Sequence, residues 1–218
     1  MTHMTRRSFF AAIASAAALM LSVGCFGQSA AQWQPGEHYD LIKPSVRVGS
    51  ADEVVVTEFF WYGCGHCYTF EPLLEAWEKT LPDGARLQGS PAMWNAPMEL
   101  HAKAFYVAEA LGVMATLHPA IFEAMHVQRQ RLGSQAALRD LFVANGVSAA
   151  DFDKAFDSFG INSLVRQADA RARSAKISGT PSIMVNGKYL VTARKAGSQA
   201  NMLKVADFLI ERELANAS

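Results

Sequence analysis

An apolar run, Val54-Val55-Val56-Thr57-Glu58-Phe59-Phe60-Trp61-Tyr62, leads into Cys64-Gly65-His66-Cys67, and a helical pattern of Phe70, Leu73, Leu74 and Trp77 follows at once. Few folds let a strand hand two cysteines to the first turn of a helix. Such a strand is a central one, covered on both faces. The first cysteine lies at the helix N-terminus, where unpaired N–H groups and the helix dipole favour an anion. A thiol there has a lowered pKa and is reactive near neutral pH. The second lies three residues on, about one turn away on the same face and within reach of a disulfide. The spacing therefore points to Cys64 as an attacking thiol and Cys67 as its resolving partner, with His66 near enough to favour the thiolate. A zinc half-site and an inert structural disulfide are the competing readings. Zinc needs a second Cys or His pair at matching spacing. The only other cysteine is Cys25, far upstream.

Glu58 interrupts the apolar run. A carboxylate in a central strand is costly unless it is paired or protonated. Either it faces the motif and exchanges a proton with Cys67, or it lies near the strand end and is solvated.

The chain has 218 residues, half of them hydrophobic, and balances 20 basic against 20 acidic side chains. That suffices for a well-buried core, and it gives no sign of nucleic acid or an anionic membrane as partner. Residues 1–31 differ in texture. Arg6 and Arg7 precede Phe9-Phe10-Ala11-Ala12-Ile13 and an Ala-rich run to Val23, and small residues lead to Ser29-Ala30-Ala31. A basic start, a short apolar centre and a small-residue exit describe a cleavable secretory signal ending at Ala31. Two variants stay open: a twin-arginine route through Thr5-Arg6-Arg7-Ser8-Phe9, and lipidation of Cys25 after Ser22-Val23-Gly24. Cleavage leaves Cys64 and Cys67 as the only cysteines, in an oxidising compartment that suits a pair used on other proteins.

Residues 32–53 read as a polar lead-in, with short strand pieces at Tyr39–Ile42 and Val46–Val48. A helix from about His66 to Lys79 is expected to kink at Pro72. Ala85 to Pro91 reads as a second strand. Helices are expected at Met98–Leu111, His118–Gln128, Ala136–Ala144, after the cap Ser148, and at Ile161–Ala175. His101, His118 and His126 share no tight ligand spacing and are expected in the core, not at a metal. Arg166, Arg171 and Arg173 are expected on a solvated face. A strand follows Pro181. Asn186-Gly187 is a two-residue hairpin turn, Lys188-Tyr189-Leu190-Val191 returns, and Ser198 caps a closing helix. The order predicts an α/β domain interrupted by helices: 32–97 as its first part, 98–160 as a helical insertion domain, 161–218 as its second part.

With these pieces placed, the chain resembles the bacterial periplasmic DsbA family, thiol:disulfide interchange proteins with a thioredoxin-like fold. The resemblance rests on Glu58-Phe59-Phe60 leading into Cys64-Gly65-His66-Cys67, on Ala110-Leu111-Gly112-Val113 in the helical stretch, and on Gly179-Thr180-Pro181 with Val185-Asn186-Gly187-Lys188-Tyr189. It covers most of residues 35–214. It implies a cis Thr180–Pro181 bond beside the cysteines, with Gly65, Thr180 and Pro181 meeting an extended substrate segment. It also implies catalytic roles for Cys64, Cys67, His66 and Glu58 and no organic cofactor or metal. Two residues depart from the best-known members: Gly65-His66 replaces Pro-His, and Thr180 replaces the usual valine.

The resemblance implies a periplasmic disulfide oxidase acting on reduced secreted proteins, reoxidised by a membrane quinone-linked thiol oxidase of the DsbB type. A disulfide isomerase or reductase using the same motif is the alternative. Isomerases of this kind carry an N-terminal dimerisation domain, for which residues 32–53 are too short, so a monomer is expected. A third reading is a peptide-binding module with a structural disulfide.

Overall fold

Strand β2 (Val54–Phe60) is buried at every position. It lies between β3 (Ala85–Pro91), which runs parallel to it, and β4 (Ser182–Val185), which runs antiparallel. With β1 (Asp40–Leu41) and β5 (Tyr189–Thr192), the sheet order is β1-β5-β4-β2-β3. These elements come from a computed structural model that describes residues 33–49 and 52–217. The expectations for residues 1–31, Cys25 included, lie outside them. Among the described residues, no helix is long and apolar enough to cross a membrane.

A parallel pair needs a crossover, and helix α1 (Gly65–Glu78) supplies it between β2 and β3. It runs unbroken through Pro72. The β4–β5 hairpin turns on Asn186 and Gly187, with φ of 49° and 65°. Positive φ at both central residues is the turn whose twist matches the strands, and Asn-Gly tolerates it best. The segment from Val46 to Val48 is not a strand, although the Val46 N–H donates to the Gly187 carbonyl at 2.8 Å.

Five helices lie between β3 and β4: α2 (Ala96–Ala110), α3 (Met114–His126), α4 (Gln135–Ala144), α5 (Ala149–Phe156) and α6 (Phe159–Ser174). Asn95, Ser134, Ser148 and Ser158 cap four of them, each side-chain oxygen accepting from the N–H three residues on. Helix α3 begins four residues before His118. Pro119 sits inside this helix. Arg171 corrects the solvated-face expectation: its Nη1 donates to Ser90 Oγ at 2.8 Å and ties α6 to β3. Helices α7 (Ala193–Ala196) and α8 (Gln199–Ala217) close the chain.

The core follows this layering. Phe70, Leu74, Val56, Ile183, Val191, Leu209 and Ile210 pack between the sheet, α1 and α8. Leu117, Ile121, Phe122, Phe142 and Phe152 fill the helical block, and Phe60, Tyr62 and Cys67 join that same cluster. The end of β2 and the start of α1 thus sit where the two layers meet.

The hairpin is fastened to α8 by Glu213, a buried carboxylate. It accepts from Asn186 Nδ2 at 2.6 Å, Lys188 Nζ at 2.5 Å and the Tyr189 hydroxyl at 2.8 Å. These donors hold its carboxyl below the usual range against the opposing effect of burial. Tyr189→Phe removes one of the three and is expected to cost about 1.5 kcal/mol. The check is a lower urea midpoint with an unchanged slope, while thiol exchange stays at the wild-type rate.

Candidate active site

Cys64 occupies the cap position of α1, with extended backbone (φ −88°, ψ 112°). Its Sγ accepts the Cys67 N–H at 3.4 Å, and as a thiol it donates to the Thr180 carbonyl at 3.4 Å. Cys64 is partly exposed, Cys67 is fully buried, and both are free thiols. These positions split the pair. Foremost through the hydrogen bond from the Cys67 thiol, the Cys64 thiol is lowered to about 5. The Thr180 side chain and the N–H groups of Cys67 and His66 add to this, while partial burial opposes it. Cys67 is pushed far up, first by burial, then by its bond to Cys64 and by the charge of Glu58. With Cys64 lowered and Cys67 raised, the pair favours a partly exposed thiolate next to a buried thiol.

The other residues singled out from the sequence fall around this pair. Thr180–Pro181 is a cis bond on the loop before β4, and Thr180 contacts Cys64. Gly65 is exposed, and a side chain there would meet nothing within 4 Å. His66 is exposed, and its main-chain N–H is among the donors that lower the Cys64 thiol. The His66 carbonyl accepts from Gln199 Nε2 at 2.6 Å, which fixes the active-site turn to the start of α8. His66, Thr180, Pro181, Thr192, Arg194 and Gln199 line part of a cleft of about 330 Å³ beside Cys64.

Glu58 is not solvated. Strand parity sets it on the same face as Val54, Val56 and Phe60, and it is 3% exposed. Its carboxyl is raised well above the usual range by burial first, then by the charges of Glu71 and Cys64. Glu58 therefore holds its proton more tightly than a solvated carboxyl, within electrostatic reach of both cysteines.

Sequence reasoning missed a ring of supporting side chains. His118 Nδ1 lies 2.7 Å from the Tyr62 hydroxyl and its Nε2 lies 3.1 Å from Glu71 Oε2. His126 Nε2 lies 2.7 Å from the Tyr62 carbonyl, and its ring stacks on Tyr68. The Trp61 indole N–H donates to His101 Nδ1 at 2.9 Å. The three histidines expected as plain core thus grip the two residues that lead from β2 towards the motif. Gly63 belongs with them: a Cβ there would lie 2.3 Å from the Trp61 ring. One signal was present in the sequence, since Glu71 lies four residues after Cys67, one turn along the same helical face.

A family model described as a DSBA-like thioredoxin domain matches residues 90–203. The chain is 35% identical over 203 residues to the thiol:disulfide interchange protein DsbA of Pseudomonas syringae pv. tomato, covering 92% of this chain and 95% of that protein. It is 36% identical over 178 residues to the protein of the same name from Azotobacter vinelandii, covering 82% of this chain and 83% of that one. Among solved structures, the crystal structure of Pseudomonas aeruginosa DsbA superposes with a TM-score of 0.83 at 34% identity, over 86% of this chain and 98% of that one.

Proposed function

The chain belongs to the DsbA family of thiol:disulfide interchange proteins, and from that premise we propose that it works as a dithiol oxidase with Cys64 as the exchanging sulfur. It is a thiol:disulfide oxidoreductase on a thioredoxin-like fold. In its oxidised form Cys64 and Cys67 share a disulfide. A substrate thiolate attacks Cys64 Sγ, a mixed disulfide forms, and the Cys67 sulfur leaves and takes a proton from Glu58. A second substrate thiolate then attacks the substrate sulfur, and Cys64 leaves as a thiolate. The substrate gains a disulfide, and its two electrons remain on the reduced pair. The loop at Thr180 and Pro181 receives the substrate as an extended segment paired along its backbone.

The observation that carries this reading is the split between the two sulfurs. A leaving group held near a pKa of 5 departs readily, and what stabilises the thiolate also stabilises the reduced protein. DsbA is itself the standard illustration of this logic, which is carried over to these residues rather than new to them. The substrates are reduced secreted proteins in the periplasm, reached through the signal at 1–31. A quinone-linked membrane thiol oxidase restores the disulfide, and the chain acts as a monomer without a cofactor.

The test is the equilibrium of the pair with defined glutathione mixtures. A strong oxidant stays reduced even in oxidising mixtures, and about 30 mV corresponds to a tenfold change in the equilibrium constant. A pair that stays oxidised until strong reductant is added would instead identify a reductase or an inert disulfide.

A further inference from the structure

The helical block reaches the dithiol through side chains that the exchange reaction does not itself use. His118 of α3 stands between Tyr62, at the end of the β2 run, and Glu71 on α1. A carboxylate only accepts, so Nε2 carries the hydrogen to Glu71 and Nδ1 is left to accept from the Tyr62 hydroxyl. The ring is fixed in this setting by edge contacts to Phe60, Phe105 and Phe122. Among the described residues, two buried side-chain oxygens lack a hydrogen-bond partner, Glu58 Oε1 and Glu71 Oε1. Both belong to the carboxyls beside the pair. The charge of Glu71 acts on Glu58, and that of Glu58 acts on Cys67.

We propose that His118 is a positioning residue of the redox centre: by holding the Glu71 carboxylate in place it sets the protonation of Glu58, and through Glu58 the poise of the Cys64–Cys67 pair. The inference rests on the oxidase reading and deepens it. A fixed anion on Glu71 makes a second buried anion unfavourable. Glu58 keeps its proton in the oxidised pair, gives it to the Cys67 sulfur as that sulfur leaves, and takes another from water, so that the reduced pair has no second negative charge beside Cys64. The groups facing this cluster are Glu58 from β2, Tyr62 after it, Cys64, Cys67 and Glu71 from the α1 turn and helix, and His118 and His126 from α3. Without the imidazole N–H, the Glu71 side chain, 22% exposed, turns to water. Its field at Glu58 weakens, Glu58 ionises more readily, and the nearer charge disfavours the Cys64 thiolate.

The experiment compares the full chain with His118→Phe, His118→Gln, Glu71→Gln, Glu58→Gln and the His118→Phe/Glu58→Gln double variant. Each is read by ultraviolet titration of the Cys64 thiolate and by its glutathione equilibrium, with circular dichroism to check folding. His118→Phe is expected to raise the thiolate midpoint by about half a pH unit and to make the pair about threefold less oxidising. Glu71→Gln, which removes the same charge without touching the aromatic contacts, is expected to do likewise. His118→Gln still offers an amide N–H to Glu71 and is expected to stay close to wild type. In the Glu58→Gln background, His118→Phe is expected to have no further effect. A shift that persists in that background would mean a packing role and overturns the proposal, as do wild-type values in Glu71→Gln or in folded His118→Phe. These readouts are differences from wild type. A wild-type pair that is not oxidising would count against the oxidase reading, whereas unchanged variants of an oxidising pair count against His118 alone.

Discussion

Cys64→Ser is expected to abolish disulfide formation in a reduced substrate, while Cys67→Ser accumulates mixed disulfides. The reason is the placement of the two sulfurs. Cys64 is the partly exposed member, at the head of α1 beside Thr180. Cys67 is fully buried, so it offers no approach to a substrate thiolate once Cys64 is gone. A serine at position 64 has no pKa in reach of neutral pH and forms no disulfide, so the rate of a dithiol peptide's oxidation falls by on the order of a thousandfold or more. Cys67→Ser keeps Cys64 as the accessible nucleophile, puts a serine hydroxyl in place of the thiol that hydrogen-bonds it, and removes the sulfur that would release it. Cys64 attacks a disulfide in an oxidised protein, displaces one of its sulfurs as a thiolate, and stays bonded to the other. Non-reducing electrophoresis of the variant recovered from cells, with and without reductant, reads these adducts directly. Normal disulfide formation by Cys64→Ser would mean that the pair is structural and the chain a peptide-binding module. The absence of any adduct in Cys67→Ser would remove the exchange mechanism.

Much of this arrangement is legible in the sequence alone. Val54, Val56 and Phe60 occupy alternate positions of a strand whose other face is equally apolar, so a central strand follows from the pattern. Asn186-Gly187 specifies the hairpin, and Ser148 and Ser198 mark helix starts because a side-chain oxygen is needed where the backbone N–H groups have no partner. Parity alone sets Glu58 on the face of Val56 and Phe60, which makes its burial readable. Other features need the third dimension. Thr180 is 116 residues from Cys64, and only the resemblance to a family brings them together in advance. His101, His118 and His126 look like ordinary members of amphipathic helices. Their roles depend on which helix face packs against Trp61 and Tyr62, and no local period encodes that. Helix α3 starts at Met114, before Pro119, and accepts the hydrogen bond that the proline's missing N–H costs. Helix α7 is a single turn ended by Gly197 at a φ of 87°, too short to leave a period.

The stability of the reduced protein is expected to rise relative to the oxidised one as pH increases from about 5 to about 8. Only the reduced form carries a titrating Cys64. In the folded state its pKa is lowered to about 5, whereas an unfolded cysteine titrates at about 8.5. Between those values the unfolded reduced chain binds one proton more than the folded one, so its unfolding free energy climbs with pH. The contribution is fully present above the unfolded pKa and is lost as pH falls through the folded one. Cys67 works against it only at higher pH, where the unfolded chain ionises that sulfur and the folded chain keeps it as a thiol. The ceiling is about 1.4 kcal/mol per pH unit, or about 4 kcal/mol across the window. Water screens a partly exposed sulfur, so about half of that is expected. For a chain of this length, about 2 kcal/mol separates melting temperatures by about 4–8 °C. Paired thermal melts of the reduced and oxidised proteins at several pH values measure the difference, and taking the difference cancels every other titrating group that the two forms share. Any constant offset from closing the four-residue disulfide loop leaves the slope untouched. A difference that stays flat across the window would mean that Cys64 is no thiolate in the folded protein. The lowered pKa would then be unavailable to drive exchange, whatever the glutathione equilibrium reads. A rise of the reduced protein's melting temperature with pH that is weaker in Cys64→Ser, melted under the same reducing conditions, ties that part of the slope to this one sulfur.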